Sequence, residues 1–174
     1  MHHVDVKEKK NWGVFFDAAG TLIRSRPQEK RGVALFEDVF PALHRFQGPN
    51  ELGCTFHLGV ITNWGARVFT LMNELGLSDY FQTIVCADDV SNPKPHKDIF
   101  LFASQAANLQ PEECFFVGDS FYDDGVGSCQ AGFQGVWLNR RNECPDDASF
   151  PIPMVSSLLD FSHLVFKWIR ENGT

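Results

Sequence analysis

Gly13-Val14-Phe15-Phe16-Asp17-Ala18-Ala19-Gly20-Thr21 is the stretch that decides the fold. An apolar, β-prone run passes straight into a carboxylate and then into small, turn-forming residues, the pattern of a buried strand ending at a tight acidic turn. The unit recurs. Phe56-His57-Leu58-Gly59-Val60-Ile61 closes on Thr62-Asn63, and Cys114-Phe115-Phe116-Val117 closes on Gly118-Asp119. Thr83-Ile84-Val85-Cys86 and Gly135-Val136-Trp137-Leu138 read as further short strands. Helical spacing fills the intervals: residues 65–75, stopped by Gly76; 96–108, after Pro93 and Pro95; 123–131; and 156–171, with an apolar face through Leu158, Leu159, Leu164, Val165 and Trp168. Residues 22–32 are polar and basic and read as loop, and 33–46 as a helix kinked or cut short at Pro41. Continuous apolar strands alternating with helices predict an α/β fold, a Rossmann-like doubly wound parallel sheet in a three-layer sandwich.

Composition narrows the function. With 174 residues, 44% hydrophobic and 21% charged, the chain suits one core, taken as residues 12–174 behind a polar tail, 1–11. Fifteen Lys and Arg against 22 Asp and Glu leave a net charge of −7, which offers no general attraction to a phosphate backbone or an anionic bilayer, so neither nucleic acid nor membrane is expected as a partner. No apolar run approaches the ~18–20 residues of a membrane span, and the first ten residues lack the apolar stretch of a secretion signal, so a cytoplasmic location is expected. The five cysteines are odd in number and widely spaced, without C-x-x-C, which predicts neither a disulfide framework nor a zinc knuckle; Cys54, Cys86 and Cys114 read as small core residues.

In an open α/β sheet chemistry gathers at the carboxyl ends of the strands, which here carry Asp17, Thr62 and Asp119, with Asp123 and Asp124 shortly after the last. Each alone has an ordinary structural use, as a turn residue or a helix cap. Together they make an acidic pocket of oxygen ligands suited to a hard divalent cation such as Mg2+.

The chain then resembles a known family. Phe16-Asp17-Ala18-Ala19-Gly20-Thr21-Leu22, Val60-Ile61-Thr62-Asn63, Asn92-Pro93-Lys94-Pro95-His96-Lys97-Asp98-Ile99-Phe100, and Phe116-Val117-Gly118-Asp119-Ser120 with Asp124 and Ala131-Gly132 are similar, in order, to the motifs of the haloacid dehalogenase-like superfamily. By that resemblance Asp17 is the nucleophile, Thr62 and Asn63 hold the transferring group, and Lys94 neutralises charge on it. Asp17, Asp119 and Asp124 anchor Mg2+, helped by the carbonyl of Ala19, with Asp123 the other candidate for the second acidic position. A carboxylate attacking phosphorus through an aspartyl-phosphate needs such cations to overcome repulsion between anions.

Two departures from the family pattern matter. Phosphatase members carry a second Asp where this chain has Ala19, so the general acid/base, usually worth about 10²–10⁴ in rate, is missing. That absence resembles the dehalogenases, which do not use Mg2+, and the phosphonoacetaldehyde hydrolases, which draw a lysine from a cap. The second departure is the cap itself: residues 22–54 are too few for a helical bundle, which predicts no separate cap domain and an Asp17 reachable from solvent. The reading is a Mg2+-dependent phosphohydrolase with a weakened acid/base step. Its substrate is a phosphorylated small molecule or macromolecule, with room for an oligomer whose neighbour covers the site. The alternatives are a catalytically silent metal-binding or interaction domain or, further off, a C-halogen or C–P hydrolase. Arg140 and Arg141 form a basic spot at a strand end, a solvated loop or an anion-holding rim.

Overall fold

The strand β1 (Asn11–Phe16) lies inside a six-stranded sheet in which all neighbours are parallel, as seen in a computed structural model that describes residues 10–144 and 149–173. Most of the polar tail, residues 1–9, lies outside the described residues. After β1 come β2 (Ile23–Ser25), β3 (Val33–Leu35), α1 (Val39–Phe46), β4 (Thr55–Ile61), α2 (Arg67–Glu74) and β5 (Thr83–Val85). Then follow α3 (Lys97–Ala106), β6 (Cys114–Gly118), α4 (Gly127–Gln130), β7 (Gln134–Leu138), β8 (Met154–Val155) and α5 (Leu158–Asn172). The sheet order is β5-β4-β1-β6-β7-β8, so β1 has a partner on each side and the connections cross over, the Rossmann-like arrangement expected.

Alternation along β1 sorts its side chains onto two faces. Trp12, Val14 and Phe16 join a core with Val39, Leu43 and Phe46 of α1, Val68 and Met72 of α2, and Phe161 and Val165 of α5. Phe15 points the other way, into a second core with Ile99, Phe100 and Ala103 of α3. The phenylalanines interlock: Phe16 meets Phe161 edge-on at 5.8 Å, and Phe100 meets Phe116 at 5.2 Å. A buried aromatic or aliphatic side chain is worth roughly 1.5–3 kcal/mol, so these two cores hold the strand ends in place. Cys54, Cys86 and Cys114 are buried free thiols, as expected of core residues.

Register sets the site. Phe16 is paired with Val60 on one side and Val117 on the other, so Asp17 ends level with Ile61 and Gly118, and Thr62 and Asp119 lie one residue beyond.

Several expectations are corrected. Residues 22–32 are not all loop: β2 and β3 form an antiparallel hairpin pairing Ile23 with Leu35 and Ser25 with Val33. The helix expected over 33–46 gives up its first turn to β3 and begins at Val39. Pro41 then falls in the first turn, where a missing N–H has no partner to lose, and no kink follows. The helix expected over 123–131 is a π-helical turn, Phe121–Val126, running into the short α4. β8, with two residues, was too short to show any alternation. Between β1 and β4 stand only the hairpin and α1, and no separate cap is present among the described residues. No described helix is long and apolar enough to cross a membrane.

Candidate active site

Asp17 is fixed first by its backbone, whose N–H donates to the Val117 carbonyl at 2.9 Å and continues the sheet one residue beyond β1. Its side chain meets Lys94, whose Nζ lies 2.6 Å from Asp17 Oδ1 and 2.6 Å from Asp124 Oδ1. The lysine reaches this point because its own backbone is clamped. Asn63 Oδ1 accepts from the Lys94 N–H at 2.9 Å, while Asn63 Nδ2 donates to the Lys94 carbonyl at 3.0 Å. Gly127 completes the seat, for a side chain there would run into the Pro95 backbone. Asn63 is thus a positioning residue for Lys94, a connection across 31 residues that its place beside Thr62 did not suggest.

The π-helical turn brings the acids inward. Ser120 Oγ caps it by accepting from the Asp123 N–H at 3.1 Å, and Asp124 Oδ2 accepts from the Ser120 N–H at 2.9 Å. Ser128 Oγ donates to the Asp124 carbonyl. The carboxylate of Asp124 fills the space where a Cβ at position 118 would sit, so only Gly118 allows this approach. Gly20, at φ +76°, does the same for Asp119, whose carboxylate occupies the place of a Cβ on that residue. Trp137 Nε1 donates to the Asp119 carbonyl at 3.1 Å and anchors the strand end. One carboxylate oxygen from each of Asp17, Asp119 and Asp124 lies within 4.8 Å of the others. Asp123, half-buried, is not in this group among the described residues, so the geometry distinguishes it from Asp124.

These groups perturb one another. Burial pushes the Asp17 carboxyl up; Lys94 pulls it down, Asp124 and Asp119 push it up, and it stands at about 7. Burial works against the charge of Lys94, but Asp17 and Asp124 outweigh it and hold the ammonium above its ordinary range. Asp119 is also raised, by burial and then by Asp124. Fully ionised, three carboxylates face one ammonium, a cluster short of positive charge. The set fits a hard divalent cation on this structure's own terms: all the ligand atoms are oxygen, they converge, and two glycines leave them room. Among the described residues no backbone N–H donates to the Ala19 carbonyl, which is a further oxygen at the same turn.

Thr62 is buried, its N–H bonded to the Val85 carbonyl at 3.0 Å and its Oγ1 accepting from the Trp64 N–H at 3.2 Å. Ala19 is half-buried and bridges to Ile23, which ties the acidic turn to the hairpin. The expectation that Asp17 is reachable from solvent is corrected: it is 5% exposed. Among the described residues no lobe covers it; Lys94, itself 6% exposed, closes over the carboxylate.

The basic spot divides. Arg140 grips Asp38 through two bonds of 2.9 Å, donates to the Thr21 carbonyl at 3.0 Å, and lies over the Phe36 ring at 4.1 Å. It is a strut between β7, the acidic turn and α1, a role invisible at a separation of 102 residues. Arg141 stays exposed, 3.6 Å from Glu143.

Residues 3–137 match the family described as haloacid dehalogenase-like hydrolase. The chain is 34% identical over 112 residues, 63% of its length and 50% of the relative's, to the pyrimidine 5'-nucleotidase YjjG of Escherichia coli. It is 30% identical over 130 residues, 70% of this chain and 57% of the relative, to a phosphoglycolate phosphatase of Nitrosococcus oceani. It spans about half the length of the curated relatives it matches. Among solved structures, a 2-haloacid dehalogenase from Pseudomonas syringae superposes with a TM-score of 0.67 at 31% identity, covering 79% of this chain and 57% of that one. A phosphatase from Thermococcus onnurineus superposes with a TM-score of 0.77 over 88% of this chain and 97% of the other; at 19% identity that likeness concerns the fold alone.

Proposed function

The chain belongs to the haloacid dehalogenase-like hydrolases, and from that premise we propose that it is a Mg2+-dependent phosphohydrolase acting through Asp17 on a phosphorylated substrate. The single observation that carries this reading is the convergence of Asp17, Asp119 and Asp124 on one point with Lys94 between two of them. Asp17, Asp119, Asp124 and the Ala19 carbonyl would hold the cation. Bound there, Mg2+ supplies positive charge that screens an incoming phosphoryl group from the carboxylates. Asp17 attacks phosphorus with a carboxylate oxygen, forming a P–O bond as the leaving oxygen departs with its electron pair; water then cleaves the aspartyl-phosphate. Lys94 keeps Asp17 aimed and offers its charge to the phosphoryl oxygens. Thr62 and the remaining N–H of Asn63 stand at the neighbouring strand end as donors to the same oxygens. Residues 12–174 act as one catalytic unit in this reading.

With Ala19 in place of an acid, the leaving oxygen departs unprotonated, so aryl and acyl phosphates should react far faster than alkyl phosphates. A hydrolysis screen with and without Mg2+, with Asp17→Asn as the blank, tests the assignment. Ala19→Asp should raise alkyl phosphate turnover by an amount on the order of 10²–10⁴ and aryl phosphate turnover less. If neither protein exceeds the blank on any phosphate, a silent metal-binding or interaction domain replaces the enzyme. The missing acid and the 31% identity to a haloacid dehalogenase favour one second reading, carbon–halogen hydrolysis. Halide release from a 2-haloacid without Mg2+ would establish it in place of the phosphatase.

A further inference from the structure

Two grooves carry arginines, and their charges differ. The one beside Asp119, about 440 Å³, is lined by Arg24, Arg140 and Arg141, but Arg24 is matched by Glu37 and Arg140 by Asp38. The other, about 420 Å³, runs between the β2–β3 hairpin and α2, with Val33, Val68 and Leu71 along it and Trp64, Arg31 and Arg67 at its sides. Both volumes suit a one-ring ligand. In the second groove Arg31 stands 3.6 Å from Glu74, which also lines it, while Arg67 forms no ion pair among the described residues. Trp64 is held at both ends of its peptide, its N–H by Thr62 Oγ1 at 3.2 Å and its carbonyl by the Ala87 N–H at 3.0 Å. It follows Thr62 by two residues, so its backbone lies within ~7 Å of chain of that strand end.

We propose that this second groove is the leaving-group site and that it takes a flat aromatic phosphomonoester carrying a second anionic group, the ring against Trp64 and the anion on Arg67. The inference rests on the phosphohydrolase reading and agrees with its chemistry: without an acid at position 19, the leaving groups that depart unaided are those of low basicity, and a phenol is one. An apolar wall with an aromatic side and an unmatched guanidinium recognises that combination better than a sugar or an alkyl chain.

The test compares kcat/KM for acetyl phosphate, phenyl phosphate and 4-carboxyphenyl phosphate, with Mg2+, in the wild type, Arg67→Ala and Trp64→Leu. Arg67→Ala should lower the ratio of 4-carboxyphenyl to phenyl phosphate about tenfold. Trp64→Leu should lower the ratio of phenyl to acetyl phosphate about fivefold to tenfold. Both ratios staying within about twofold of wild type, in folded variants, overturns the proposal while leaving the phosphohydrolase reading intact. If no phosphate is hydrolysed, that reading fails, and calorimetry with 4-carboxyphenylphosphonate decides the groove. A Kd about tenfold weaker in Arg67→Ala upholds the site; an unchanged Kd, or no binding by the wild type, overturns it.

Discussion

Two cations in this molecule each bind acidic oxygen twice at close range, and they do opposite things. Arg140 meets one carboxylate, Asp38, and the charges balance: the guanidinium also holds the Thr21 carbonyl, and Asp38 Oδ2 also accepts the Leu158 N–H at 2.8 Å, although Arg140 Nε is left without a partner among the described residues. Charge is matched and the acceptors are used. Lys94 meets Asp17 and Asp124 with Asp119 close by, and the cluster is left short of positive charge although its two ion pairs are shorter and more deeply buried. A completed pair is a strut. An incomplete, buried one is costly to hold, and the cation proposed there would offset that cost on binding.

The comparison breaks most visibly at Lys94. Lys94→Met leaves Asp17 and Asp124 buried without a counter-charge and should cost about 3–5 kcal/mol in denaturant unfolding without metal. A loss under ~1 kcal/mol would mean that the acids shed their charge at no cost. Next in size is the metal. Mg2+ at a hundred times its Kd should stabilise the wild type by about 2.7 kcal/mol, read as a rise in Tm, and Asp119→Asn should remove most of that rise. A variant stabilised to the wild-type extent would place the cation elsewhere.

The same cluster predicts a pH trend. Asp17 stands at about 7 in the folded chain against an ordinary 3.8, so the folded state keeps a proton that the unfolded chain has released. Its contribution is full below pH 4 and is lost as pH rises towards 7. In EDTA, Tm should therefore fall between pH 4 and 7, and Asp17→Asn should flatten the slope; an equal slope in the variant assigns the titration to another group. At the strut, Asp38→Ala should cost about 2 kcal/mol, since it frees Arg140 and the Leu158 N–H together, and Mg2+ should restore none of it. Recovery by metal would show that the strut and the acidic cluster are coupled. Smallest is the surface pair Arg170–Glu51, more than half exposed on both sides, where Glu51→Ala should change stability by less than ~1 kcal/mol.

The parts of this protein legible in its sequence are those where a local pattern and the global fold ask for the same residues. Phe15 and Phe16 read as a buried strand because the apolar run is short, β-prone and closed by Asp17 and a Gly-containing turn, and the same holds for β4 and β6. Parallel pairing followed from the alternation of strands with helices, and parallel pairing placed Asp17, Thr62 and Asp119 at one edge of the sheet. Family membership was carried by those same strand ends.

Tertiary structure decided what depends on distant partners. The hairpin of β2 and β3 has three-residue strands, too short for a period to register, and their pairing rather than their composition makes them strands. A proline that reads as a helix breaker is harmless at Pro41 because the hairpin moved the helix start. Chain length alone argues for an open site at Asp17, whereas Lys94, brought in from 77 residues away and clamped by Asn63, closes it from within. Neighbouring residues set which groups can reach a strand end, but only folding sets how much water and how much opposite charge each one keeps, and these two quantities govern its chemistry.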